Sequence, residues 1–489
     1  MIRLYRYKGF LYTEVNMKKV LSVVLAACMI LGLAACGNGT NSGNAVVIND
    51  VPEPQPKQDY ALSSIVLPVA VSYPNEEDFD KDGRYDYSAA RQAWDEWGEQ
   101  AAAKEALAQI YKGKLDHYLK LSNEYLKGLD GKNAVCSPLN IYFALAMLAE
   151  CAAGNTRAEI LDVLGAADIN ELRTTAKALW EQTYYSGDGY TTELASSIWL
   201  NNNIMGTIPE FDDETLATLA MEYYATAYTG DAVDKGFSRA FKDWLNDHTG
   251  GLLKDQVESL DYFESDLVAA IATTVYFKAS WADEFPDYLT VDDVFHAVAG
   301  EKTVSFMRIT ETLRMYTGEG YTAVFVPFSA VGGMWIMLPD EGISPEQLNA
   351  DGKIFDLTAK AFDDPVDDLS DNGFDYCSVA LTLPKFDVDA KIDLIEILVR
   401  MGIREAFIEV AADLSNLIKN VPAYVSDVTH AARVKIDEKG CEAAAFTVIL
   451  VQAEGMLSEP VEFKVDRPFA FAITGSDGLP LFTGIVNEP

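Results

Sequence analysis

The chain has 489 residues, 49% of them hydrophobic and 11% aromatic, which is ample for a sizeable core in one large domain or two to three smaller ones. Its 38 basic and 75 acidic residues give a net charge of −37; with no basic stripe anywhere, a nucleic-acid partner is excluded. Four histidines (His117, His248, His296, His430), and no HExxH, CxxC, GxGxxG or P-loop pattern, argue against the common metal and nucleotide chemistries, so neither a cofactor nor a metal is expected.

In chain order, Lys18 and Lys19 precede an uncharged run of 16 residues, Val20 to Ala35, short for a membrane span but suited to a signal-peptide core. The run ends Leu33-Ala34-Ala35-Cys36, which resembles a bacterial lipobox. Residues 1–35 read as a removable leader with its functional start at Met17, and Cys36 as the lipidated mature N-terminus. Residues 36–75, rich in Gly, Asn, Ser and Pro, read as a tether. Residues 76–109 form an acidic extension with Trp94 and Trp97 on a helix. Asp78-Phe-Asp80-Lys-Asp82-Gly83 copies the start of an EF-hand loop, but the twelfth position is Ala89 where a bidentate Glu is needed, so a solvated acidic turn is expected. The cysteines left after Cys28 and Cys36 (Cys136, Cys151, Cys377, Cys441) are widely and irregularly spaced, and read as free thiols in small apolar sites.

From residue 110 the texture is that of a folded domain. Leu115, Tyr118, Leu119, Tyr125, Leu126 and Leu129 recur at helical spacing. Asn133 to Cys136 reads as a strand, and Ser137-Pro138 as the cap and first turn of a helix. Thr156 to Glu159 has the form of a capping box. Residues 268–277, 322–326, 334–338 and 379–383 read as strands, and 391–401 as a helix ending at Gly402. Helices and strands without regular alternation indicate an α+β domain.

Across 110–489 the sequence resembles a serpin. The resemblance is carried by Asn133-Ala-Val-Cys-Ser-Pro-Leu-Asn-Ile141, Gly154-Asn-Thr156, Tyr276-Phe-Lys278 with Trp281 and Phe285, Leu383-Pro-Lys-Phe386, Val425-Ser-Asp-Val-Thr-His430, Glu438-Lys-Gly-Cys-Glu-Ala-Ala-Ala445, Arg467-Pro-Phe469 and Leu481-Phe-Thr-Gly484, in order and in spacing. It implies three β-sheets, about nine helices and an exposed reactive-centre loop, about 438–463. It also implies a suicide inhibitor of serine or cysteine proteases, not an enzyme, whose cleaved loop inserts into the central sheet. The expected partners are a target protease and, through the lipid, a membrane. The chain is expected as a monomer on the extracellular face, or shed from it. The alternative within the same fold is a non-inhibitory, cell-surface binding lipoprotein.

Whether this loop can insert is readable from the residues. A central strand tolerates no proline and must present small or apolar side chains inward at every second position. Gly440 to Leu457 contains no proline. One alternating set is Cys441, Ala443, Ala445, Thr447, Ile449, Val451 and Ala453; the other, Glu442, Ala444, Phe446, Val448, Leu450, Gln452 and Glu454, carries both charges. The resemblance assigns Glu438, Gly440, Cys441, Glu442, Ala443, Ala444, Ala445 and Thr447 to the hinge. It places Ser137, Asn140, Lys242, Thr273 and His430 where the sheet opens, with Asn140, Lys242 and Thr273 departing from the usual residues. His430 is read there as a satisfied core histidine and not as a base. Fourteen positions after Gly440 lies Glu454, so the favoured scissile bond is Glu454-Gly455. Counting back from Pro468 reaches Leu457, which leaves Met456-Leu457 or Leu457-Ser458 as the other choice.

Overall fold

The computed structural model describes residues 1–6, 60–62, 65–67, 79–81, 84–129, 131–186, 190–329, 332–363, 373–441 and 459–489. Cys36, the Val20–Ala35 run, Glu442–Ala445, Thr447 and Glu454–Ser458 lie outside them.

The first large sheet is built around two long strands. Leu267–Ser280 is buried over most of its length, as its near-continuous apolar run requires of a strand covered on both faces. Ala423–Asp437 instead alternates, burying Val428, His430, Ala432, Val434 and Ile436 and turning their neighbours outward. Outside the first, Tyr190–Asn201 pairs antiparallel, followed by Ala225–Gly230 and Tyr185–Ser186; outside the second lies Phe386–Asp393. Between the two long strands sit two short ones, Ile2–Arg6 toward one end and Gly440–Cys441 at the other.

Helix Pro138–Cys151 packs against this sheet and is buried over almost its whole surface. Ser137 caps it, its hydroxyl accepting the Asn140 N–H at 3.3 Å, with proline in the first turn, as the sequence predicts. The capping box at Thr156 does not form. The helix begins two residues earlier, at Gly154, because the chain enters it from Ala153. Thr156 Oγ1 accepts the Asp413 N–H, and Glu159 accepts the N–H groups of Arg404 and Glu405, so both side chains cap neighbouring segments instead. Likewise Lys391 is strand and not helix: alternation carries Phe386–Asp393 past it, and the helix is Ile395–Met401.

The resemblance implies three sheets; among the described residues there are two large ones and a two-stranded ribbon. The second large sheet has nine strands because Gly300–Gly318 is long enough to pair with Val291–Ala297 in its first half and with Phe374–Pro384 and Tyr321–Pro327 in its second. That strand makes one sheet of what would otherwise be two. The ribbon, Asp80–Lys81 with Arg84–Tyr85, belongs to the acidic extension. Asp86 then caps the 25-residue helix Tyr87–Tyr111, accepting from Ser88 and Ala89 N–H, which gives this acidic segment a capping role. The end of the helix joins the body, where Tyr111 is buried and its hydroxyl donates to Asp477. Eleven α-helices are present among the described residues, against about nine implied.

Candidate functional site

Leu267–Ser280 and Ala423–Asp437 are neighbours in the sheet that pair with each other nowhere among the described residues. They form the walls of a slot. At one end Gly440–Cys441 has entered it, with Cys441 opposite Ile436 and Ala279, and Gly440 opposite Asp437 and Ser280. Glycine is required there, since φ is +149° and a Cβ would lie 2.2 Å from the Ala279 carbonyl oxygen. Cys441 is 4% exposed and packs in the main core. The approach to this point is anchored on all sides. The Trp281 indole donates to the Asp437 carbonyl at 2.9 Å, and Trp281 and Phe285 N–H donate to the Lys439 and Glu438 carbonyls. Burial raises the Glu438 carboxyl, but the hydrogen bonds from Lys385 Nζ at 2.8 Å and Thr290 Oγ1 at 2.9 Å outweigh it and hold the group below its ordinary range. Sequence reasoning missed Lys385 and Thr290, because no local pattern marks a residue that waits for a distant carboxylate.

Four of the five residues expected to govern opening come together midway along the slot. His430 Nε2 accepts the Ser137 N–H at 3.1 Å, which fixes the neutral tautomer with its proton on Nδ1. Burial lowers its pKa to about 3, with the Met1 ammonium adding to the shift. Asn140 Nδ2 donates to the Thr273 carbonyl at 2.9 Å, and Thr273 Oγ1 contacts the Asn140 carbonyl and side-chain oxygens at 3.0 Å. These bonds tie the cap of helix Pro138–Cys151 to both walls. Lys242 is not part of the cluster: its Nζ donates to the Glu258 and Leu260 carbonyls and lies 5.0 Å from the Tyr262 ring centroid. Beside the cluster is a cavity of about 70 Å³, lined among others by Asn140, Thr273, Tyr276, Ala431, Arg433 and Met1.

The far end of the slot holds a segment absent from the site expectations. Ile2–Arg6 pairs antiparallel with both walls, Ile2 opposite Val428 and Ile271, Leu4 opposite Val425 and Ala269. Ile2 and Leu4 are wholly buried. Met1 is bound at both backbone ends, its amine donating to the Thr429 carbonyl at 2.5 Å and its carbonyl accepting the Thr429 N–H at 2.8 Å. Arg3 turns the other way, its Nε 3.7 Å from Asp427 and its guanidinium over the Phe263 ring. The signal available in the sequence was the alternation Ile2-Arg3-Leu4, too short to stand out from a leader.

The cysteine reading holds for the described residues, where Cys136, Cys151, Cys377 and Cys441 are thiols and form no disulfide, with three buried and Cys377 partly so. No group of three or more His, Cys, Asp or Glu side chains that could hold a metal occurs among them.

A model of the family described as serpin (serine protease inhibitor) matches residues 115–489. The chain is a serpin. Its relatives include antichymotrypsin-2 of Bombyx mori, 26% identical over 78% of this chain and 99% of that protein, and alaserpin of Manduca sexta, 26% identical over 79% and 96%. Among solved structures it is similar to the thermophilic serpin tengpin in the native state, with a TM-score of 0.66 and 25% identity over 78% of this chain and 94% of that one.

Proposed function

We propose that this serpin is a suicide inhibitor of serine or cysteine proteases, acting from the outer face of a membrane. The observation that carries the reading is the facing of the slot. Extending the Cys441–Ile436 register puts Ala443, Ala445, Thr447 and Ile449 opposite Val434, Ala432, His430 and Val428, every one of them buried. The uncharged set of the loop thus meets the core face, and Glu442 meets exposed Lys435.

The protease nucleophile attacks the scissile carbonyl, the peptide nitrogen leaves with a proton, and the loop is held as an acyl-enzyme. The freed hinge then zips into the slot faster than water deacylates the enzyme. The same register bears on the scissile bond. Ile2–Arg6 skips Ser426 in passing from Asp427 to Val425, and a loop strand making that skip places Ala453 opposite Ala423, the first residue of its wall. Glu454 is then the first residue beyond the sheet, which favours Glu454-Gly455 over Met456-Leu457 or Leu457-Ser458, and a protease with a cationic specificity pocket.

A panel of serine and cysteine proteases tests the proposal. A complex that survives denaturing electrophoresis, releasing a C-terminal fragment that begins at Gly455, is expected; cleavage without any complex contradicts it. Dual acylation at Cys36 would supply the membrane attachment, one chain alone binding marginally. Cys36→Ala should release the protein to the medium or stall its processing, and unchanged membrane partitioning at the mature mass would disprove the anchor.

A further inference from the structure

The slot is filled from two sides, and the two occupants want the same seats. Measured along the wall Ala423–Asp437, Ile2, Arg3 and Leu4 stand opposite Val428, Asp427 and Val425. These are the positions the loop register assigns to Ile449, Leu450 and Val451. On the opposite wall the Cys441–Ala279 register likewise brings Ile449 to Ile271, the partner of Ile2. The chemistry matches as well as the place: Ile stands for Ile and Leu for Val, while the residue between them, Arg3, turns to the sheet's other face and lies over the Phe263 ring. The stretch left open runs from His430 to Lys435, because Met1 already holds both backbone groups of Thr429, and it takes Glu442 to Thr447 and nothing further.

We propose that Met1–Arg6 is an internal competitor of the reactive loop, a strand that occupies the far half of the slot and must leave before insertion can pass Thr447. This rests on the inhibitor reading above. While the segment is seated, insertion stalls in mid-sheet; when it is absent or displaced, the whole slot is open. The segment lies within residues 1–35, so a chain that begins at Met1 and keeps them is held back, and one without them, through cleavage or a start at Met17, is competent.

Its attachments suit a releasable strand. Ile2 and Leu4 bury two apolar side chains, but the strand is five residues long and its pairing breaks register at Leu4 on one wall and at Tyr5 on the other. The α-amino group is buried beside Thr429, and that burial lowers its pKa to about 6.

The primary readout needs no protease, and protease complex formation is scored alongside it. A fluorescent synthetic peptide of residues Cys441–Glu454 is offered to the full chain, to the full chain carrying Ile2→Asp and Leu4→Asp, and to the full chain carrying Leu4→Ala; uptake is followed by native electrophoresis. The double variant should take up the peptide at least about tenfold faster than the unaltered chain, with Leu4→Ala between them, because one buried aliphatic side chain is worth more than one decade. Equal uptake by all three overturns the competitor role, and leaves the inhibitor reading standing if protease complexes still form. No uptake by any chain, with no protease complex, overturns both.

Discussion

Gly440 and His430 show how single residues set the slot's behaviour. At Gly440 any Cβ would strike the Ala279 carbonyl, and the positive φ disfavours every L side chain. Gly440→Ala should therefore cost about 1–3 kcal/mol in the seating of the hinge. Its expected signature is loss of amide exchange protection at Cys441 and slower complex formation, with the rest of the sheet unchanged. His430 works through its proton. Folded, its pKa is about 3; unfolded, it returns to the ordinary value of 6.5. Above pH 6.5 neither state is protonated there. As pH falls from 6.5 toward 3 only the unfolded chain binds the proton, so stability is lost at about 1.4 kcal/mol per unit. Unfolding free energies from urea titrations at pH 7 and pH 5 should differ by about 2 kcal/mol more for the natural chain than for His430→Gln. An identical pH dependence in the two would mean that His430 is not buried neutral.

At the scale of the element, the loop strand and its walls predict a sharp asymmetry between faces. Thr447 would come to rest between His430 and Thr273, over the Ser137 cap, with no counter-charge among the hydrogen-bonding groups of that cluster. Thr447→Arg would bury an unpaired guanidinium, at a cost of several kcal/mol, and convert the protein from inhibitor to substrate. Glu442→Ala on the outward face should leave inhibition within about twofold, a change below 0.5 kcal/mol. Stopped-flow inactivation rates and gel partitioning read both, and equal inhibition by the wild type and Thr447→Arg would contradict insertion as the driving step. The elements themselves were largely legible. The apolar run 268–277, the strands at 322–326, 334–338 and 379–383 and the Ser137-Pro138 helix start are where periodicity and capping chemistry put them. What escaped is non-local. Thr156 and Glu159 look like a capping box because the pattern cannot show that Arg404, Glu405 and Asp413 will claim their side chains. Lys242 looks like part of the opening until two carbonyls at Glu258 and Leu260 take its charge. Met1–Arg6 reads as leader because nothing local says that a slot some four hundred residues away will accept it.

For the whole molecule, the account is of a fold whose eight-stranded sheet is left unfinished. Helix Pro138–Cys151, the Ser137–Asn140–Thr273–His430 cluster and the anchors around Glu438 hold two long strands apart, with one end of the gap begun by the hinge and the other taken by the N-terminus. Completing the sheet adds backbone hydrogen bonds along both walls, each worth about 1 kcal/mol, so the finished form must be much the more stable. Thermal unfolding before and after cleavage of the loop by a non-target protease measures this most directly, on the Ile2→Asp, Leu4→Asp chain in which the far half of the slot is free. The account predicts a rise in melting temperature of more than about 10 °C on cleavage, since each kcal/mol shifts a domain of this size by a few degrees. An unchanged or lower melting temperature after cleavage would mean that the loop does not insert, and would contradict the account.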